Sequence, residues 1–191
     1  MLRIEPLAPA LCEAFLHYFD DAAFSDHPEW KGCYCLESHL GEAADGALGL
    51  DIPKRRALAE EFVLNNRMHG YLAFDGDRVI GWCCADRKEN LYAISGNPIF
   101  DTGSGRIFSI WCYDIAPDRR GAGIASLLLE RVLADAAAMD FDFVEVYPFN
   151  DEKFAWQYHG TRRMYDKFGF EEIKRLEWAS VMRKRIKHDE S

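Results

Sequence analysis

Apolar and polar positions alternate along this chain with two different periods. The opening "MLRI" reads as a short strand. Pro9 then opens a helix on which Leu11, Phe15 and Phe19 fall four residues apart on one face. Residues 24–52 carry no period. They begin in aromatics and cysteines, "FSDHPEWKGCYCLESH", and end in small residues, the composition of a packed loop or a lid. Pro53 starts a second helix, which Gly70 ends. "YLAF" and "RVIGWCCA" flank Asp75-Gly76 as a hairpin, and the second flank, apolar on both faces, predicts a central strand. Residues 95–105 form a turn-rich loop. "RIFSIWCYDIAP" is the next strand, stopped by Pro117, and a leucine-rich helix follows it. "FDFVEVYP" is a strand, "GTRRMYDKFG" a helix ending near Gly169, and "FEEIK" and "WASVMRKR" are two closing strands. This order, β-α-α-β-β-β-α-β-α-β-β, predicts an α/β fold: a mixed, mostly antiparallel central sheet flanked by helices.

Composition narrows the class. The chain has 191 residues, 49% of them hydrophobic, which fits one domain over 1–191 with a substantial core. The net charge of −9 argues against phosphate backbones and anionic lipid, so neither nucleic acid nor membrane is an expected partner. Glu5, Pro6 and Glu13 interrupt any apolar run near the start, and no stretch has the length and apolarity of a bilayer span. A cytoplasmic location is expected. The six cysteines are then expected to be reduced thiols, with Cys83, Cys84 and Cys112 inside strand-like runs. Cys33, Cys35 and His39 stand close together, but no second ligand pair with zinc spacing follows them.

The segment "RRGAGIASLLLE" carries the strongest chemical signal. The first turn of a helix presents free N–H groups and a partial positive charge, and stabilises an anion. Glycines there let the backbone approach a ligand closely. Strand, glycine-rich loop and helix in that order therefore suggest phosphate binding across 106–139. The P-loop pattern fails for want of a lysine, and the dinucleotide fingerprint fails because Ser126 stands where the third glycine belongs. A third pattern, [QR]-x-x-G-x-[GA], is met by Arg120, Gly121, Ala122, Gly123, Ile124 and Ala125.

In this segment the chain resembles the GNAT superfamily of coenzyme A-dependent N-acetyltransferases. A second match lies in "MYDKFGF", where Tyr165, Gly169 and Phe170 fill the family's Tyr-x-x-x-Gly-Phe. The resemblance implies a GNAT-like acyl-CoA N-acyltransferase fold. It also implies direct transfer of an acetyl group from acetyl-CoA, as co-substrate, to an amine. By the same resemblance the backbone of Arg120 to Ser126 holds the cofactor's diphosphate. The pantetheine arm pairs with Tyr113, Asp114 and Ile115, where the fourth strand splays from the fifth. An amide of that strand stabilises the oxyanion, and Tyr165 is the acid that protonates the departing thiolate. The plainer alternative for Tyr165 is a packed aromatic.

The family's early-strand glutamate is missing, with Ser109 in that region, so the general base stays open among Glu37, His39 and Asp114. The family builds part of its acceptor pocket from the stretch corresponding to residues 24–52. Trp30, Tyr34 and Glu37 there offer an aromatic and acidic cup for a cation; the alternative is a satellite core under a long loop. The expected partner is a small-molecule or peptide amine, and a homodimer stays open. Two competing functions remain: a binding module that holds acyl-CoA without chemistry, and a metal-binding protein using Cys33, Cys35 and His39.

Overall fold

The computed structural model describes residues 1–40, 49–151, 153–154 and 157–186. Seven strands form one sheet: β1 (Leu2–Pro6), β2 (Gly70–Asp75), β3 (Arg78–Arg87), β4 (Ile107–Ile115), β5 (Phe143–Val146), β6 (Glu171–Arg175) and β7 (Ser180–Arg185). Their order is β1-β2-β3-β4-β5-β7-β6. Every pair is antiparallel except β4–β5, which the crossover makes parallel. Among the described residues the α-helices are α1 (Cys12–His17), α2 (Glu37–Leu40), α3 (Ile52–Leu64), α4 (Ile124–Ala138) and α5 (Arg162–Lys167). The mixed sheet and the order of its strands are those read from the sequence; the short α2 is an addition within the stretch read as irregular.

Each face of the sheet buries its own core. Phe15, Phe19, Tyr34, Phe62, Trp82 and Tyr147 pack on one face, which we call the α1 face. Ile80, Tyr113, Leu128, Val132, Val144 and Tyr165 pack on the other, the α4 face. β3 is buried from Val79 to Asp86 because it contributes to both, as its two-sided apolar pattern requires. α4 buries Ile124, Leu128, Leu129, Val132 and Ala136, a stripe at helical spacing that fixes it against the sheet.

Local chemistry sets the helix ends. Asp51 caps α3 by accepting the Lys54 amide at 3.0 Å, with Pro53 in the first turn. The expected stop at Gly70 is corrected to Leu64. Asn66 takes a left-handed φ of 52°, and the Arg67 amide returns to the Phe62 carbonyl at 2.7 Å. Asparagine adopts that conformation readily enough to close a helix. Within the 24–52 stretch, residues 41–48 lie outside the described residues; the remainder holds a 3-10 turn at Pro28–Trp30 and the single turn of α2.

Candidate active site

The site begins with an irregularity in β4. Opposite Cys84 and Ala85 of β3 stand Cys112 and Ile110, so Trp111 is an extra residue. Such a bulge bends its strand and re-aims side chains. Here it turns both Trp111 and Cys112 toward the α1 face, while Ile110 and Tyr113 face α4. Pairing of β4 with β5 ends at Ile110 and Val146, just where the bulge begins. Beyond it the two parallel strands part.

The chain's own backbone enters that gap. The Tyr113 amide donates to the Tyr158 carbonyl at 2.6 Å. The next residue, His159, is held through Nδ1 on the Trp111 carbonyl, and the Tyr165 hydroxyl donates to the His159 carbonyl at 2.6 Å. Tyr165 is fully buried, and burial raises its hydroxyl well above the usual tyrosine range.

At the end of β4 the chain makes a 3-10 turn, Pro117–Arg119, and then enters α4. Gly121 and Gly123 adopt φ of 76° and 82°, the left-handed region that glycine occupies without strain. A Cβ at either position would meet no atom within 4 Å, so packing does not explain them. Arg120 and Ala122 close the turn through their amides, to Pro117 at 3.5 Å and Arg119 at 3.4 Å. The amides of Gly121, Gly123, Ile124, Ala125 and Ser126 bond to no acceptor among the described residues. They are the unpaired donors of a helix N-terminus in an open, left-handed cradle. The Arg120 side chain is engaged elsewhere, by the Ile115 carbonyl at 3.1 Å and by Asp26. It ties the 24–52 stretch to this loop.

Asp114 faces the α1 side, opposite to Tyr113. The Tyr18 hydroxyl donates to it, 2.5 Å from Oδ1 and 3.0 Å from its carbonyl oxygen. Burial raises the Asp114 carboxyl to about 7, against the Tyr18 hydrogen bond and the Arg120 charge, which both lower it. Of the three candidate bases it alone combines half-burial with titration near neutrality. His39 is 3% exposed, with Nδ1 occupied by Ser38 and the Cys35 carbonyl. Glu37 is exposed on a rim.

That rim belongs to a cavity of about 760 Å³ on the α1 face. Its walls include Trp111, Phe149, Phe154, Tyr158 and Trp178, with His159 among them at ring distances of 4.4 to 5.7 Å. Glu37 is the one proposed acceptor residue that the structure brings here. Tyr34 is 1% exposed with its hydroxyl on Asp20 at 2.5 Å, and Trp30 stacks on His27 at 4.4 Å. The 24–52 stretch contributes Glu37, while Trp111, Phe149, Phe154, Tyr158 and Trp178 supply the aromatic walls. Sequence reading missed those walls because their members are far apart along the chain.

It also missed Glu145. This fully buried β5 residue stands opposite Ser109, and its carboxylate is bonded by Lys88 at 2.8 Å, Thr102 at 2.7 Å and Arg183. Tyr147 links Glu145 to Ser109, at 3.2 and 3.0 Å. The carboxylate is thus fully committed to neighbours. The Cys35 sulfur lies 3.8 Å from the Ser38 hydroxyl, which is 3.4 Å from the Cys84 sulfur. Among the described residues no group of three or more His, Cys, Asp or Glu side chains is arranged to hold a metal ion, and no helix is long and apolar enough to cross a membrane.

Comparison with known proteins agrees with this geometry. Residues 30–170 match the model of the acetyltransferase (GNAT) family. A search of curated proteins by sequence gave no match. Among solved structures, the chain is similar to a histone acetyltransferase HPA2 and related acetyltransferase from Corynebacterium glutamicum, with a TM-score of 0.59, 15% identity and coverage of 100% of this chain and 99% of that one. It is similar to the PaiA N-acetyltransferase of Thermoplasma acidophilum in complex with coenzyme A, with a TM-score of 0.57, 13% identity and coverage of 97% and 99%. It is also similar to the ribosomal-protein-S18-alanine N-acetyltransferase of Escherichia coli, with a TM-score of 0.55, 12% identity and coverage of 100% and 99%. The family match spans well over half of the sequence, and the chain belongs to the GNAT acetyltransferase family.

Proposed function

We propose that this protein transfers an acetyl group from acetyl-CoA to an amine. The observation that carries the proposal is the start of α4. Five amides without an acceptor among the described residues stand in a cradle whose glycines have no packing role. A diphosphate suits that donor set, and the positive end of the α4 dipole adds to the attraction. The coenzyme A complex of a relative with this fold supports the choice of ligand.

The residues fit the rest of the cofactor as well. The parted strands β4 and β5 leave an edge on which the Tyr113 amide is a donor for the pantetheine arm, once Tyr158 gives it up. When bound, the thioester supplies an activated acetyl group. Asp114 lies on the α1 face and Tyr165 on the α4 face, so the two proton movements have separate owners on opposite sides of the gap. Asp114 takes the proton of the acceptor ammonium; a carboxyl near 7 accepts a proton at physiological pH far better than an ordinary one. Tyr165 donates its proton to the departing sulfur, which leaves as the thiol, and regains one from the nitrogen that has just formed the amide. Glu37 and the aromatic cavity receive the acceptor.

The test is release of free thiol from acetyl-CoA across a panel of amines. Amine-dependent release supports acyl transfer. A second reading, acyl-CoA binding without chemistry, draws on the burial of Tyr165 and the occupied Tyr113 amide. It predicts tight cofactor binding with no thiol release on any amine.

A further inference from the structure

The cavity on the α1 face carries charge that acetyl transfer alone does not require. Glu37, Asp151 and Glu177 line it, and among the described residues no lysine or arginine does. None of the three carboxylates has an ion-pair partner among the described residues. His159 supplies no compensating cation. It is 1% exposed and its Nδ1 bonds the Trp111 carbonyl, as a neutral ring does; burial lowers it to about 4.

The apolar part of the cavity is equally unspent. Tyr92, Ile99, Phe154, Tyr158 and Trp178 are all more than a third exposed, and all line this one cavity. A cluster of exposed aromatic and aliphatic surface marks a binding site more often than chance scatter does. Aromatic faces beside carboxylates suit an organic cation: the rings attract it through their quadrupoles and the carboxylates through their charge.

The reacting nitrogen is not that cation. It must shed its proton before it attacks, so a binding energy spent on its positive charge would oppose the reaction. The carboxylates therefore address a charge that persists through the transfer. Resting on the acetyl-transfer reading above, we propose that the acceptor carries a second cationic group on an alkyl spacer, as a di- or polyamine does. Glu37, Asp151 and Glu177 hold that group against Tyr158 and Trp178.

The test uses the intrinsic fluorescence of the whole protein, since Trp111 and Trp178 line the cavity. Pentylamine and its diamine counterpart, cadaverine, are titrated separately, with and without acetyl-CoA. The expected result is cadaverine binding about tenfold tighter than pentylamine. The Glu37→Gln/Glu177→Gln double variant should narrow that gap, as should added salt. Both side chains are exposed, and far-UV circular dichroism checks the fold of the variant. Equal affinity for the two amines, or no binding of cadaverine, overturns the proposal. So does a clear preference for a peptide N-terminus over cadaverine. A separate titration with acetyl-CoA keeps the two readings apart: its failure sinks acetyl transfer, whereas a missing diamine preference sinks only the second cation.

Discussion

The Tyr158 carbonyl accepts the Tyr113 amide at 2.6 Å, inside the gap where β4 leaves β5. This contact makes residues 158–160 a stand-in for whatever pairs with that strand edge. In the proposed binding mode the cofactor arm takes the place of that bond. Hydrogen exchange should therefore change in peptides covering 157–165 when acetyl-CoA is added, and should change little in β1. Unaltered exchange in 157–165 at saturating acetyl-CoA would place the arm elsewhere.

Asp114 sets the second prediction. Its carboxyl sits at about 7, so kcat/KM should rise with pH through that value and level off above it. Asp114→Asn should remove this limb and lower kcat/KM about a hundredfold at pH 8. Tyr18→Phe removes a hydrogen bond that lowers the carboxyl, so the limb should move to higher pH. Stability follows the opposite sign. A carboxyl raised by folding stabilises the fold while protonated, and that contribution is lost as pH climbs from the ordinary value of 3.8 through about 7. A limb that stays in place in Tyr18→Phe would detach it from Asp114.

Tyr165→Phe isolates the proposed acid. The change deletes one hydroxyl from a fully buried site and leaves the ring packed against Phe170 at 5.4 Å. Turnover should fall about a hundredfold while the affinity for acetyl-CoA changes little. Equal turnover would leave Tyr165 as a packed aromatic.

Glu145 makes a prediction about stability. Burial pushes its carboxyl up, but Lys88, Thr102 and Arg183 more than reverse this and hold it below the usual range. Glu145→Gln strands two nearly buried cations, each 14% exposed, and should cost about 3–5 kcal/mol in chemical denaturation. In the parent protein the contribution should be full above the ordinary value of 4.5 and disappear as pH falls through the lowered one. A melting curve unaffected by the substitution would contradict the assignment.

Sequence made some of these features legible and hid others, for physical reasons. Local rules located the β2–β3 hairpin at Asp75-Gly76 and the cradle at Gly121 and Gly123, because turns and helix starts are dictated by neighbouring residues. The end of α3 was misplaced because Asn66 closes a helix less conspicuously than glycine does. Tyr34 reads from sequence either as part of an acceptor cup or as satellite core; its hydroxyl finds Asp20 and its ring joins the core. Nothing local distinguishes such an aromatic from one lining a pocket. The cavity walls and the partners of Glu145 depend on strands meeting across the sheet. So does the extra residue at Trp111, since a bulge exists only relative to a partner strand.

The measurement closest to the centre is a calorimetric titration of acetyl-CoA into the parent protein and Gly123→Glu, with melting curves confirming that both are folded. The account predicts saturable binding by the parent and none by the variant, whose carboxylate and side chain occupy the cradle at the start of α4. Undiminished affinity in a folded Gly123→Glu would contradict it.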